Sequence, residues 1–104
     1  MTIRAMFEWD ENKNRLNIKK HGVDFNVAWT AFNDIHAIIE IDYEHSYSEE
    51  RQNLIGFDET SKLLFVCHCE RNDGENEVIR LISARKADRD ETDFYWRERH
   101  EEVY

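Results

Sequence analysis

The sequence predicts an α+β domain on three observations. An aromatic stripe at helical spacing lies near the start, strand-like runs separated by polar turns fill the middle, and an acid-capped segment closes the chain. The element order is β-α-α-β-β-β-β-α. Short connections make the later strands an antiparallel sheet, with the helices packed mainly on one face.

Residues 5–9 are short and aromatic-containing and form a first strand that Asp10 stops. Asp10 then caps a helix running through Lys20, because its carboxylate can accept from the unpaired N–H groups of the first turn; Gly22 supplies the left-handed stop. The only apolar residues of that helix are Leu16 and Ile18. Asp24 caps a second helix, in which Phe25, Ala28, Trp29 and Phe32 form one apolar stripe that serves as core. After Asn33 and Asp34 the pattern turns to strands over residues 36–42, 51–57, 63–70 and 77–86. Asp73-Gly74 signals a type I′ hairpin. A turn centred there sets Glu70 against Glu77 and Cys67 against Arg80, and the repulsion of two facing carboxylates favours a looser register. Asp88 and Glu91 make an acidic capping box for a final helix reaching about residue 102, whose Phe94, Tyr95 and Trp96 dock on the sheet.

The 104 residues contain no proline, repeat or linker, so residues 1–104 are expected to be a single domain with one core. No apolar run is long enough for a membrane span or a secretory signal, and the expected location is the cytoplasm, with no membrane partner. Cys67 and Cys69, two apart on one strand, are too widely held for a disulfide and read as reduced thiols. The net charge of −9 argues against broad nucleic-acid affinity, so any such contact must be local. Cations do cluster, at Lys13, Arg15, Lys19 and Lys20 and again at Arg80, Arg85 and Lys86.

Three segments together resemble a known family: Phe7-Glu8-Trp9-Asp10 with Asn12-Lys13, Lys20-His21-Gly22-Val23 with Phe25 and Phe32, and residues 80–87. Glu50-Arg51 to Ile55-Gly56 and Glu70-Arg71 also fit, so the likeness spans nearly the whole chain. The family is that of BrnT-type ribonuclease toxins. The resemblance implies a RelE-like fold, RNA as substrate, cleavage without a metal, and a partner antitoxin with a ribbon-helix-helix DNA-binding part. Operator DNA would be reached only through that antitoxin, and the assembly could be a homodimer or a heterotetramer with it.

Metal-free RNA cleavage needs a group to take the 2′-hydroxyl proton, cations for the crowded phosphate and a donor for the departing 5′-oxygen. Arg80 leads the candidates, since it interrupts an apolar strand and its guanidinium can bond two phosphate oxygens while staying charged. Its structural alternative is an ion pair across the sheet with an acid such as Glu40 or Glu77. Arg85 would point to the opposite face if the strand stays regular. Arg71, beside the turn, either touches RNA or is merely solvated. For proton transfer the candidates are His21, whose alternative is capping its helix, His68 and Glu70.

No cofactor or metal is expected. Cys67-His68-Cys69 invites a zinc reading, but alternation turns His68 away from both thiols. Glycine-rich phosphate loops and Gly-x-Ser-x-Gly elbows are missing. A second function class also fits: a noncatalytic acidic protein-binding module acting with a DNA-binding partner as a repressor.

Overall fold

The computed structural model describes residues 6–74 and 76–101. Its elements are β1 (Met6–Glu8), α1 (Glu11–His21), α2 (Phe25–Ala28) running into a 3-10 turn (Trp29–Asn33), β2 (Ile38–Ile41), β3 (Arg51–Phe57), β4 (Leu63–Asp73), β5 (Asn76–Lys86) and α3 (Arg89–Glu101). The expected start at Ala5 and the helix end at residue 102 lie outside the described residues. Among those residues no helix is long and apolar enough to cross a membrane.

The five strands form one sheet in the order β1-β5-β4-β3-β2. β2 to β5 are antiparallel neighbours, as their short connections require. β1 instead joins the edge parallel to β5, with Phe7 beside Ile79, which makes the sheet mixed. Everything from α1 to β4 lies between those two strands, ample chain for a crossover.

The caps form as the sequence predicts. Asp10 Oδ1 accepts from the N–H groups of Asn12 (2.8 Å) and Lys13 (3.2 Å), and Gly22 ends α1 at φ 70°. Asp88 and Glu91 bond reciprocally, each carboxylate accepting the other's N–H at 2.8 Å.

The attachment of α1 differs from expectation. Leu16 and Ile18 point outward, 66% and 39% exposed, and the buried residues are Asn14 and Asn17. Asn17 Nδ2 donates to the carbonyls of Val23 and Ala84, both at 2.8 Å, and Asn17 Oδ1 accepts from Ala84 N–H at 3.1 Å. The β1 pairing reaches only as far as Arg80, so beyond it the Asn17 carboxamide stands in for a strand at this edge of β5. Asn14 ties α1 to the start of α2, accepting from Phe25 N–H (2.8 Å) and donating to Asp24 (3.0 Å).

The expected second helix tightens into the 3-10 turn after one α-helical turn. Phe25, Ala28 and Ala31 are buried with Leu54, Leu64, Val66, Leu81 and Ala84, while Trp29 and Phe32 border the core and remain half-buried. The turn lies directly on Gly56, where an added Cβ would come within 2.9 Å of the Ala31 carbonyl oxygen.

Two features of the β4–β5 hairpin alter the expected pairing. First, Asp73 opposes Asn76, with Gly74 following Asp73 at φ 66°. Glu70 then faces Ile79 and Glu77 faces Asn72, which removes the direct carboxylate opposition that the expected register would impose. Second, the register jumps between Cys67, opposite Ser83, and His68, opposite Leu81, leaving Ile82 as an extra residue in β5. This bulge lets Leu81 and Ala84 both enter the core.

α3 is pinned to the end of β3 by Tyr95, which is fully buried against Phe57 (ring centroids 5.3 Å). Its hydroxyl donates to Asp34 Oδ2 at 2.7 Å, and that carboxylate also accepts from Phe57 N–H at 2.9 Å. Burial opposes the charge on Asp34, but hydrogen bonds from Phe57, Tyr95 and His36 outweigh it and hold the carboxyl below its ordinary value. Asp34 also shortens the expected strand 36–42, because its carboxylate accepts from His36 N–H and its carbonyl from Ala37 N–H in a turn ahead of β2.

Asn17→Ala should leave the Val23 and Ala84 backbone groups without their partner and lower stability by roughly 2–4 kcal/mol, read from the urea midpoint. Burial, then hydrogen bonding to Asp34, pushes the Tyr95 hydroxyl from 10.0 up to about 12. A folded value above the unfolded one gives stability that is intact below pH 10.0 and declines as pH rises towards about 12. Circular dichroism across that window should show a loss in the wild type that is diminished in Tyr95→Phe.

Candidate functional site

Register builds the site. On the sheet face turned away from α1 and α2, Arg51, Cys69, Arg80 and Glu8 stand in one row across β3, β4, β5 and β1. The next row towards the hairpin holds Arg71, Val78 and Met6; on the other side come Glu40, Asn53, Cys67 and Ser83. Adjacent strands lie about 4.8 Å apart, so Arg51 and Arg80 flank Cys69 with Cα atoms about 10 Å from each other. Arg71 is two residues along β4 on the same face, so three arginines stand around the buried Cys69, with Arg80 and Arg71 acting on its thiol and Arg51 on that of Cys67.

The charges around this cluster are modest. Arg71 Nη1 reaches Glu8 at 3.3 Å, both side chains being about half exposed, so the pair contributes little to stability. Arg80 has no ion pair among the described residues and opposes Glu8 in the parallel register. Neither acid named for a structural ion pair with Arg80 adjoins it: Glu77, an odd number of residues away along β5, faces the other side, and Glu40 sits on the far edge strand, so the acid across the sheet from Arg80 is Glu8. Asp10 is held below the usual carboxylate range by the backbone N–H groups of Lys13 and Asn12, with Arg80 a minor contributor. Burial first, then the Glu49 carboxylate beside it, pushes the Cys69 thiol up against the pull of Arg80 and Arg71. Burial likewise raises Cys67. Both thiols are thereby kept protonated. In the adjoining row the buried Asn53 Oδ1 has no hydrogen-bond partner among the described residues.

The bulge at Ile82 puts Arg85 on the same face as Arg80, where a regular strand would separate them. They do not share one spot, being about 16 Å apart along the strand. Arg85 lies over the Phe65 ring (4.3 Å to its centroid) and makes two parallel bonds to Glu91, of 2.7 and 2.8 Å. That geometry joins β5 to the first turn of α3.

The remaining sequence candidates lie elsewhere. His68 is 1% exposed on the core side, packed on Phe32, with Nδ1 3.2 Å from the Val66 carbonyl and Nε2 3.2 Å from Gln52 Oε1. Burial lowers its pKa and favours the neutral ring. Glu70 shares that side of the sheet, at the rim of a groove of about 800 Å³. His21 ends α1, a helix length of about 16 Å from Asp10, the end of the helix near Arg80. Among the described residues no three His, Cys, Asp or Glu side chains are grouped so as to hold a metal ion. Sequence reasoning missed Arg51, Glu8, Glu49 and Ser83 as members of the arginine face. The tight turn at residues 58–62 could have placed Arg51 opposite Cys69, but the bulge that aligns Ser83 leaves no mark in the composition.

A family model described as the ribonuclease toxin, BrnT, of type II toxin-antitoxin system matches residues 9–91. The chain belongs to the BrnT family. The BrnT match takes in Arg51, Arg71, Arg80, Arg85 and Glu91, and a type II system implies a cognate antitoxin. The crystal structure of the Brucella abortus ribonuclease toxin, BrnT, is similar in fold, with a TM-score of 0.56 and 24% identity, over 84% of this chain and 100% of that one. No curated protein matches the chain.

Arg85→Lys keeps the charge but loses the paired bonds to Glu91. Because Arg85 is partly exposed and screened, the expected loss is about 1 kcal/mol, checked as a shift in the denaturant midpoint, and Glu91→Gln should cost a similar amount.

Proposed function

We propose that this BrnT-family chain is a metal-independent endoribonuclease, acting in the cytoplasm and restrained by an antitoxin that carries a ribbon-helix-helix DNA-binding part. The observation that supports this best is the gathering of Arg51, Arg71 and Arg80 around Cys69 on one sheet face of a chain with net charge −9. A polyanion is repelled by the molecule as a whole and must be held where cations are local.

In this reading Arg80 and Arg71 grip the scissile phosphate and stabilise the extra negative charge as the 2′-oxygen attacks phosphorus. The 2′-hydroxyl proton passes to a carboxylate, the bond to the 5′-oxygen breaks, and that oxygen takes a proton. The products are a 2′,3′-cyclic phosphate and a 5′-hydroxyl end. Glu8, paired with Arg71, and Glu49, beside Cys69, are the carboxylates nearest these arginines, whereas Glu70 and His21 would require RNA to reach another part of the surface. Ser83 and Asn53 flank the path of the ribose. Arg85, occupied by Glu91, supports the strand that carries Arg80.

The test is incubation of the purified chain, freed of antitoxin, with end-labelled RNA in excess EDTA. Wild type should leave 2′,3′-cyclic phosphates, and Arg80→Ala or Arg71→Ala should slow cleavage roughly 100-fold or more while melting as wild type does. Full-rate cleavage by Arg80→Ala removes that residue from the mechanism, and intact RNA with folded wild type refutes the reading.

A further inference from the structure

The groove of about 800 Å³ lies on the other side of the sheet from the arginines, where the helical layer stops short of β2 and the hairpin. Its walls are aromatic: Phe7 packs against Trp29 (5.3 Å between ring centroids) and Phe32 (5.1 Å), and Trp9 continues the wall. At its outer margin Ile35 is 90% exposed and Ile39 is 50% exposed. An apolar surface of this kind left uncovered marks an interaction site.

The rim carries the opposite information. Among the described residues three carboxylates, Asp34, Glu70 and Glu77, line the groove, and no lysine or arginine does. Asp34 is committed to Tyr95 and Phe57. Glu70 and Glu77 are both exposed, and both adjoin Ile79: one opposes it across the hairpin and the other precedes it by two residues on β5. Such diagonal neighbours lie about 7–8 Å apart, close enough for like charges to repel. A cation laid across the mouth relieves that repulsion. RNA would add to it, which turns the groove away from nucleic acid and towards a basic polypeptide.

We propose that this groove docks a basic amphipathic segment of the cognate antitoxin, its apolar side chains on Trp29, Phe32 and Ile35 and its lysines or arginines over Glu70 and Glu77. The inference rests on membership of a toxin-antitoxin family and is independent of the cleavage chemistry. Aromatic anchors inside a charged rim supply affinity at the centre and orientation at the edge. Because the groove and the arginine face lie on opposite sides of the sheet, antitoxin affinity and RNA cleavage are separable by substitution.

The experiment uses the full chain and, as probe, the purified antitoxin protein whose co-expression restores growth, titrated by calorimetry at low and high salt. The variant is Ile35→Asp with Glu77→Arg, both at exposed positions, with melting checked against wild type. It should bind antitoxin roughly 30-fold or more weakly and lose most of the salt dependence, while the free variant cleaves RNA as fast as wild type. Wild-type affinity in the variant overturns the proposal. So does normal antitoxin binding with lost cleavage, which would assign the groove to RNA. A wild-type dimer that the variant breaks without changing antitoxin affinity overturns it in favour of a second copy of this chain. If wild type cleaves nothing yet the variant still loses antitoxin, the docking site stands and the nuclease reading alone falls.

Discussion

The extra residue in β5 governs this structure. In a regular strand Leu81 and Ala84 point to opposite sides, and so do Arg80 and Arg85. Ile82 adds one position between them, so both apolar residues reach the core and both arginines reach the other face. Beyond the bulge, the backbone of Ala84 meets Asn17, which fixes α1 on the sheet where β1 has run out. Core packing, helix docking and the arrangement of cations therefore share one irregularity.

Capping was the most legible part of the fold, because Asp10, Gly22, Asp24, Asp88 and Glu91 act on backbone groups a few residues away and need no tertiary information. What depended on distant partners was less so. Periodicity counts apolar residues, and α1 is held by two asparagines whose partners lie on α2 and β5, so its inward face was invisible. The aromatic stripe was correctly seen but split in function: Phe25 and Ala28 fill the core, while Trp29 and Phe32 form a groove wall because the 3-10 turn rewinds them. Arg80 was legible as a cation in an apolar strand. Its companion Arg51 required the β3–β4 register, and Arg85 required the bulge.

The acidic composition is compatible with both surfaces because the sheet separates them. On one side arginines are interleaved with single carboxylates, and buried thiols below them remain neutral. On the other, carboxylates rim an apolar trough and His68 is neutral at its floor. Net charge averages over these two environments, which a sheet only one residue thick keeps apart.

The joints that complete the molecule span most of its length: Asn17 to Ala84 is 67 residues, and Glu8 to Arg71 is 63. During synthesis the first quarter of the chain therefore emerges long before its partners do. Its helix has nowhere to dock until the last strand is made, and the arginine face is assembled only then. A chain interrupted before β5 keeps Arg51 and Arg71 but lacks Arg80, so truncated products carry the toxin's first motifs without the complete cation cluster.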